Sequence, residues 1–143
     1  MRKSLSGSGL AFPKTSAPTR RERLKAQYRR LRAVVRAAVY QRDSQRCRVC
    51  QTWLMLSGTT PFNHANIHEM EGGHRRVTSA VDTRQCVTLC CHCHEDVERH
   101  QIRLLVVDEH AGANGPLKIQ DLRDGTIQTR RPIHGHRERH DRT

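Results

Sequence analysis

Cys86-Val87-Thr88-Leu89-Cys90-Cys91-His92-Cys93-His94 is the stretch on which the reading of this chain turns. Val87 to Leu89 reads as a short strand that delivers the chain to Cys90. Cys90-x-x-Cys93 then repeats the spacing of Cys47-x-x-Cys50. Two residues between thiolates let one turn present both sulfurs to one ion, and two such turns make a tetrahedral set of four. The pattern predicts a structural zinc ion on Cys47, Cys50, Cys90 and Cys93, closed to substrate because four thiolates leave no open position. Cys86 and Cys91 fall outside the repeat; Cys86 reads as a small buried residue and Cys91 as incidental. Cys90-x-x-Cys93-His94 also fits a c-type haem attachment pattern, but that reading needs export and leaves the first pair without a role. A redox dithiol lacks the βαβ context it would need.

Composition leads one to expect a staple. The chain has 143 residues, of which only 3% are aromatic, so a hydrophobic core has little large side-chain area to draw on. No export signal is read in the N-terminal stretch, because Ser, Gly and Pro interrupt Ser4 to Pro13 before an apolar segment can form. The expected location is therefore cytoplasmic, where cysteines stay reduced and bind metal rather than pair. A net charge of +12 points to a polyanion as partner, nucleic acid before membrane, because no long apolar run exists.

Upstream of the first cysteine pair, residues 1–19 are rich in Ser, Gly, Pro and Thr and read as a flexible arm. Arg20 to Arg42 reads as a helix: Leu24, Tyr28, Leu31, Val35 and Val39 recur at helical spacing. Nine basic residues surround that stripe, with Arg29, Arg30, Arg32 and Arg36 the ones expected to meet the phosphates of duplex DNA. Downstream, Ile102 to Val107 alternates as a half-buried strand. Leu117 to Leu122 and Thr126 to Arg130 flank Arg123-Asp124-Gly125 as a hairpin. The organisation read from this is an arm (1–19), a basic helix with a zinc-stapled core (20–107), a loop and β-hairpin (108–131) and a disordered basic tail (132–143). The fold class is α+β.

A second cluster has a different character. His94 follows the last zinc cysteine where a helix would leave the turn, so a fixed backbone aims its imidazole. His68-Glu69 lies on a short strand, Ile67 to Met70, before the turn signal Gly72-Gly73. A hairpin from His68 to Cys90 followed by the His94 helix would set the two imidazoles face to face. Two imidazoles and a carboxylate suit a transition-type divalent ion better than magnesium, which takes oxygen ligands. The lone histidines His64, His74, His92 and His110 read as surface residues, and His134, His136 and His140 as a tail that scavenges metal.

These residues, from Arg42-Asp43 and Cys47-Arg48-Val49-Cys50 through Ile67-His68-Glu69-Met70 and Gly72-Gly73 to Cys93-His94, resemble the HNH endonuclease family in its compact phage and bacterial form. The resemblance covers roughly residues 30–107. It implies a ββα-metal core, in which a hairpin and a following helix clasp one catalytic divalent ion (Mg2+, Mn2+, Ni2+ or Zn2+). It also implies hydrolysis of a DNA phosphodiester to leave a 5′-phosphate. It makes His68 and His94 metal ligands, with Glu98 one helical turn on as the third and His100 as the alternative. Glu69 falls where the family usually has its histidine base, and Gln85 where it has its asparagine. Either Glu69 serves as base with a raised pKa, or the register differs and His68 is the base. With no base-reading element evident, cleavage is expected to be weakly specific or nicking unless a protein partner supplies specificity. The rival readings are a zinc-stapled DNA-binding or accessory protein whose active site has decayed, supported by Glu69 and Gln85, and an RNA-binding zinc protein of ribosomal type.

Overall fold

The computed structural model describes residues 16–70 and 81–132. Gly72-Gly73, His74, most of the N-terminal arm and the tail histidines lie outside these residues. The described chain is a small α+β fold with one long helix and two antiparallel sheets.

Helix α1, Arg20–Arg42, starts at Thr19 with a reciprocal cap. The Glu22 N–H donates to Thr19 Oγ1 at 3.2 Å and the Thr19 N–H to Glu22 Oε2 at 2.6 Å, which satisfies two donors that helix geometry leaves without partners. The helix ends at Asp43, and Ser44 and Gln45 follow with φ of 53° and 61°, a left-handed pair that turns the chain into the first cysteine knuckle. Strands β1 (Asn66–Glu69) and β2 (Cys86–Leu89) form an antiparallel hairpin in which His68 faces Val87 and Glu69 faces Cys86. Helix α2, Cys91–Glu98, begins one residue after β2 with Cys90 as its cap. It starts earlier than the polar sequence around His94 suggested, because the Cys93 N–H donates to Cys90 Sγ at 3.4 Å. Strands β3 (Ile102–Val106), β4 (Leu117–Asp121) and β5 (Ile127–Arg130) make the second sheet, in the order β3-β4-β5. The sequence boundary at residues 107 and 108 therefore runs between two paired strands.

The core gathers Val39, Tyr40, Leu54, Ile67, Val87, Leu89 and Leu117 with Cys47, Cys86, Cys90 and Cys93. Only the C-terminal end of α1 reaches it. Leu24 is 55% exposed and Leu31 49%, whereas Val39 is fully buried, so the apolar stripe expected to seat the whole helix does so only at its last turns. Length explains this: 23 helical residues extend about 35 Å, while a four-residue strand spans about 13 Å and cannot cover them.

A buried polar network ties the parts together. Asp43 and Arg48 are 1% and 2% exposed. Arg48 Nη1 donates to Asp43 Oδ1 at 3.0 Å and to the Ala113 carbonyl at 2.9 Å; its Nη2 donates to the Gly115 carbonyl at 3.0 Å. Asp43 also accepts from Arg42 and from the Thr88 N–H at 2.9 Å. One ion pair thus links the end of α1, the first cysteine knuckle, β2 and the loop before β4. Burial pulls the Arg48 guanidinium down from its ordinary range and the Asp43 charge opposes that pull. Gly112, at φ +56°, lies so close to Arg84 that an added Cβ would come within 2.5 Å of its carbonyl oxygen.

Candidate metal centres

The two cysteine knuckles meet beside the core. Cys47 and Cys50 come from the loop after α1, and Cys90 and Cys93 from the start of α2. Their four Sγ atoms all lie within 4.8 Å of one another. The Gln51 N–H donates to the Cys47 carbonyl at 2.9 Å and the Cys47 N–H to Thr52 at 2.9 Å, which folds the first knuckle back on itself. Zinc–sulfur bonds of about 2.3 Å at tetrahedral angles place sulfurs roughly 3.8 Å apart. Cys50 Sγ and Cys90 Sγ are 3.7 Å apart, so the set fits such an ion. Its electrostatics agree. The hydrogen bond from the Cys93 thiol pulls Cys47 down, the same contact together with burial drives Cys93 up, and burial raises Cys90. Crowded thiolates of this kind ionise together only around a shared cation. Cys86, outside the set, is buried and pushed up to about 11 by that burial and by Glu69. Cys91 is half-buried, its Sγ not part of the cluster.

The second group forms where β1 meets α2. One donor atom each from His68, His94 and Glu98 falls within 4.8 Å of the others. Glu98 Oε1 stands 3.5 Å from His68 Nδ1 and 3.8 Å from His94 Nε2, and the two imidazoles meet edge to face with centroids 5.3 Å apart. The arrangement follows from periodicity. His94 and Glu98 are one helical turn apart on α2, and His68 is on the strand face turned to that helix. The set opens to solvent, with His68 side-chain exposure at 13% and Glu98 at 51%. A cavity of about 420 Å³ adjoins it, lined by His68, Glu98, His100 and Arg103 among others. His100 is in the left-handed region at φ 58°, just past the end of α2.

The remaining residues singled out from the sequence fall elsewhere. Glu69 borders the same cavity as His68, but its Oε1 accepts from Arg32 Nη2 at 2.9 Å and its side chain is 11% exposed. Gln85 ends a 3-10 turn, Thr83–Gln85, and its carbonyl accepts from the Met70 N–H at 2.8 Å, extending the hairpin through the backbone. Arg29 and Arg30 are exposed, Arg36 is half-buried, and Arg32 is held by Glu69. Arg103 was visible in sequence only as the outward residue of an alternating strand. Its place on the cavity wall depends on how β3 leaves α2, which no local pattern encodes.

No helix among the described residues is long and apolar enough to cross a membrane. No family model matches this chain, and neither does any curated protein or solved structure.

Proposed function

We propose that this protein is a metal-dependent DNA endonuclease with a zinc-stapled ββα-metal core of the HNH type. The observation that carries the proposal is the convergence of His68, His94 and Glu98 where the β1–β2 hairpin meets α2, directly beyond the four-cysteine staple. One imidazole and one carboxylate of this set would hold a single divalent ion, leaving the second imidazole to act on water. Such an ion, when bound, supplies charge stabilisation at a phosphoryl oxygen and at the leaving oxygen. His94 and Glu98 would hold it. Of the two bases the sequence left open, the pairing of Glu69 with Arg32 favours His68. His68 takes the proton of the attacking water, and the Glu98 carboxylate, 3.5 Å from Nδ1, stabilises the imidazolium that forms. Arg29 and Arg30 are exposed on α1 and, with the half-buried Arg36, are suited to duplex phosphates, while Arg32 is engaged by Glu69. Contacts of that kind are largely sequence-independent, so cleavage is weakly specific or nicking unless a partner protein supplies specificity.

The second reading is a zinc-stapled DNA-binding or accessory protein whose nuclease site has decayed. The engagement of Glu69 by Arg32 favours it. One experiment separates the two. Supercoiled plasmid is incubated with the protein and magnesium, manganese, nickel or EDTA, alongside His94→Ala. The nuclease reading expects nicking or linearisation that needs metal and disappears in the variant. No cleavage with any metal, and salt-sensitive DNA binding equal in both proteins, would establish the binding module instead.

A further inference from the structure

The cavity of about 420 Å³ beside the His68, His94 and Glu98 set has walls of two kinds. His68 and Glu98 form its metal-facing side. Met70, Val97, Leu104 and Leu122 form an apolar side, brought together from just past β1, from α2, from β3 and from just past β4. Leu122 is 44% exposed, so this apolar surface is open to solvent. Arg103 also lines the cavity, and its exposed guanidinium makes no hydrogen bond or ion pair with another described residue. Glu69 borders the cavity too, but its carboxylate is paired with Arg32. A metal ion and a phosphate group would fill only a fraction of this volume, and neither gives apolar side chains anything to cover. Cavities of roughly 300–1,000 Å³ are the size that takes a small organic ligand.

We propose that this cavity takes one unpaired nucleotide of the DNA strand being cut. Its base lies against the apolar side, one of its phosphates meets Arg103, and the scissile phosphate lies at the metal-facing side. The inference rests on the nuclease reading of His68, His94 and Glu98 and names the substrate class of that site. In an intact duplex the apolar base faces are stacked inside, and extruding one costs unstacking and unpairing. A base already out of the stack, at a bulge, a gap or a single-stranded end, enters without that cost. An intact duplex binds through the exposed arginines of α1 and leaves the cavity unfilled. A free nucleotide is a poorer occupant than a strand, because only a strand reaches the α1 arginines and the cavity together.

Fluorescence anisotropy tests this without cleavage, on the full chain loaded with one equivalent of zinc and no other divalent ion, at fixed salt. The probes are a labelled duplex and the same duplex with one unpaired thymidine bulged from one strand. The bulged duplex should bind about tenfold tighter or more, since its extra base need not be unstacked. Leu122→Asn should remove most of that preference. Arg103→Gln should weaken the bulged duplex severalfold and the intact one little, whereas Arg29→Gln, on α1, should weaken both alike. Leu122 and Arg103 are exposed, and unchanged circular dichroism and zinc content would show that folding is intact. A 4-thiothymidine at the unpaired position should cross-link, on irradiation, to the segment bearing Leu104 or Leu122. Equal affinity for the two duplexes in the wild type would overturn the proposal. So would a preference that survives both Leu122→Asn and Arg103→Gln, or cross-linking elsewhere in the chain. The two readings fail separately. Equal binding with metal-dependent plasmid cleavage defeats the nucleotide site and leaves the nuclease. A cavity-dependent preference without cleavage under any metal defeats the nuclease and leaves a binding site for unpaired bases.

Discussion

Replacing Asp43 by alanine should be among the most damaging single changes in this protein outside the metal ligands. The carboxylate is almost fully buried and accepts hydrogen bonds from Arg42, Arg48 and the Thr88 N–H. Its loss leaves the Arg48 guanidinium, itself 2% exposed, without a counter-charge, although three backbone carbonyls still accept from it. Removing one member of a buried ion pair costs about 3–5 kcal/mol. The Thr88 N–H loses its acceptor as well, at roughly 1–3 kcal/mol. Overlap between these costs holds the expected total to about 4–6 kcal/mol, against a whole-domain stability of about 5–15 kcal/mol. Urea unfolding followed by circular dichroism, at a fixed excess of zinc so that metal linkage is constant, measures it. Asp43→Leu combined with Arg48→Met should recover part of the loss, because the double variant buries no lone charge. A loss below about 1 kcal/mol in Asp43→Ala, or a double variant worse than the sum of the single changes, would refute this account of the ion pair.

Four further expectations follow from the same geometry. Elemental analysis should find one tightly held zinc per chain, and Cys47→Ser or Cys93→Ser should lose it and unfold the protein at room temperature. Glu69→Gln should leave plasmid cleavage within about tenfold of wild type if His68 is the base, whereas a general base is worth about 10²–10⁴-fold. Gly112→Ala should destabilise the protein, measured by thermal unfolding, because its φ of +56° and its closeness to Arg84 both oppose a side chain. Asp121 hydrogen-bonds Arg123 and is held at about 2, below its ordinary 3.8. Its contribution to the β4–β5 turn is complete above that ordinary value and fades as pH falls from there through about 2. Titration of its carboxyl carbon by NMR checks the value.

The four-cysteine cluster was legible in the sequence because each half of it is local: two Cys-x-x-Cys turns need only their spacing to be recognised. The same holds for strands at Ile67 and Val87, for the Arg123-Asp124-Gly125 hairpin and for α1, whose repeat is carried by neighbouring residues. His68 and His94 were foreseen as partners because a hairpin leading straight into a helix leaves them little choice of position. Tertiary structure decided what local pattern could not. It paired the Glu69 carboxylate with Arg32, since only the neighbouring helix determines what a strand side chain meets. It buried Asp43 and Arg48, two charged residues that composition would leave in water, because each supplies the other's counter-charge and the loop before β4 supplies carbonyls. It also exposed Leu24 and Leu31, apolar residues that periodicity assigned to the core, because a four-residue hairpin is too short to cover a helix of 23. The sequence determined which elements form and which side chains can bind metal; how far each element reaches, and so which charges are buried and which apolar rows are left bare, was fixed only when they packed.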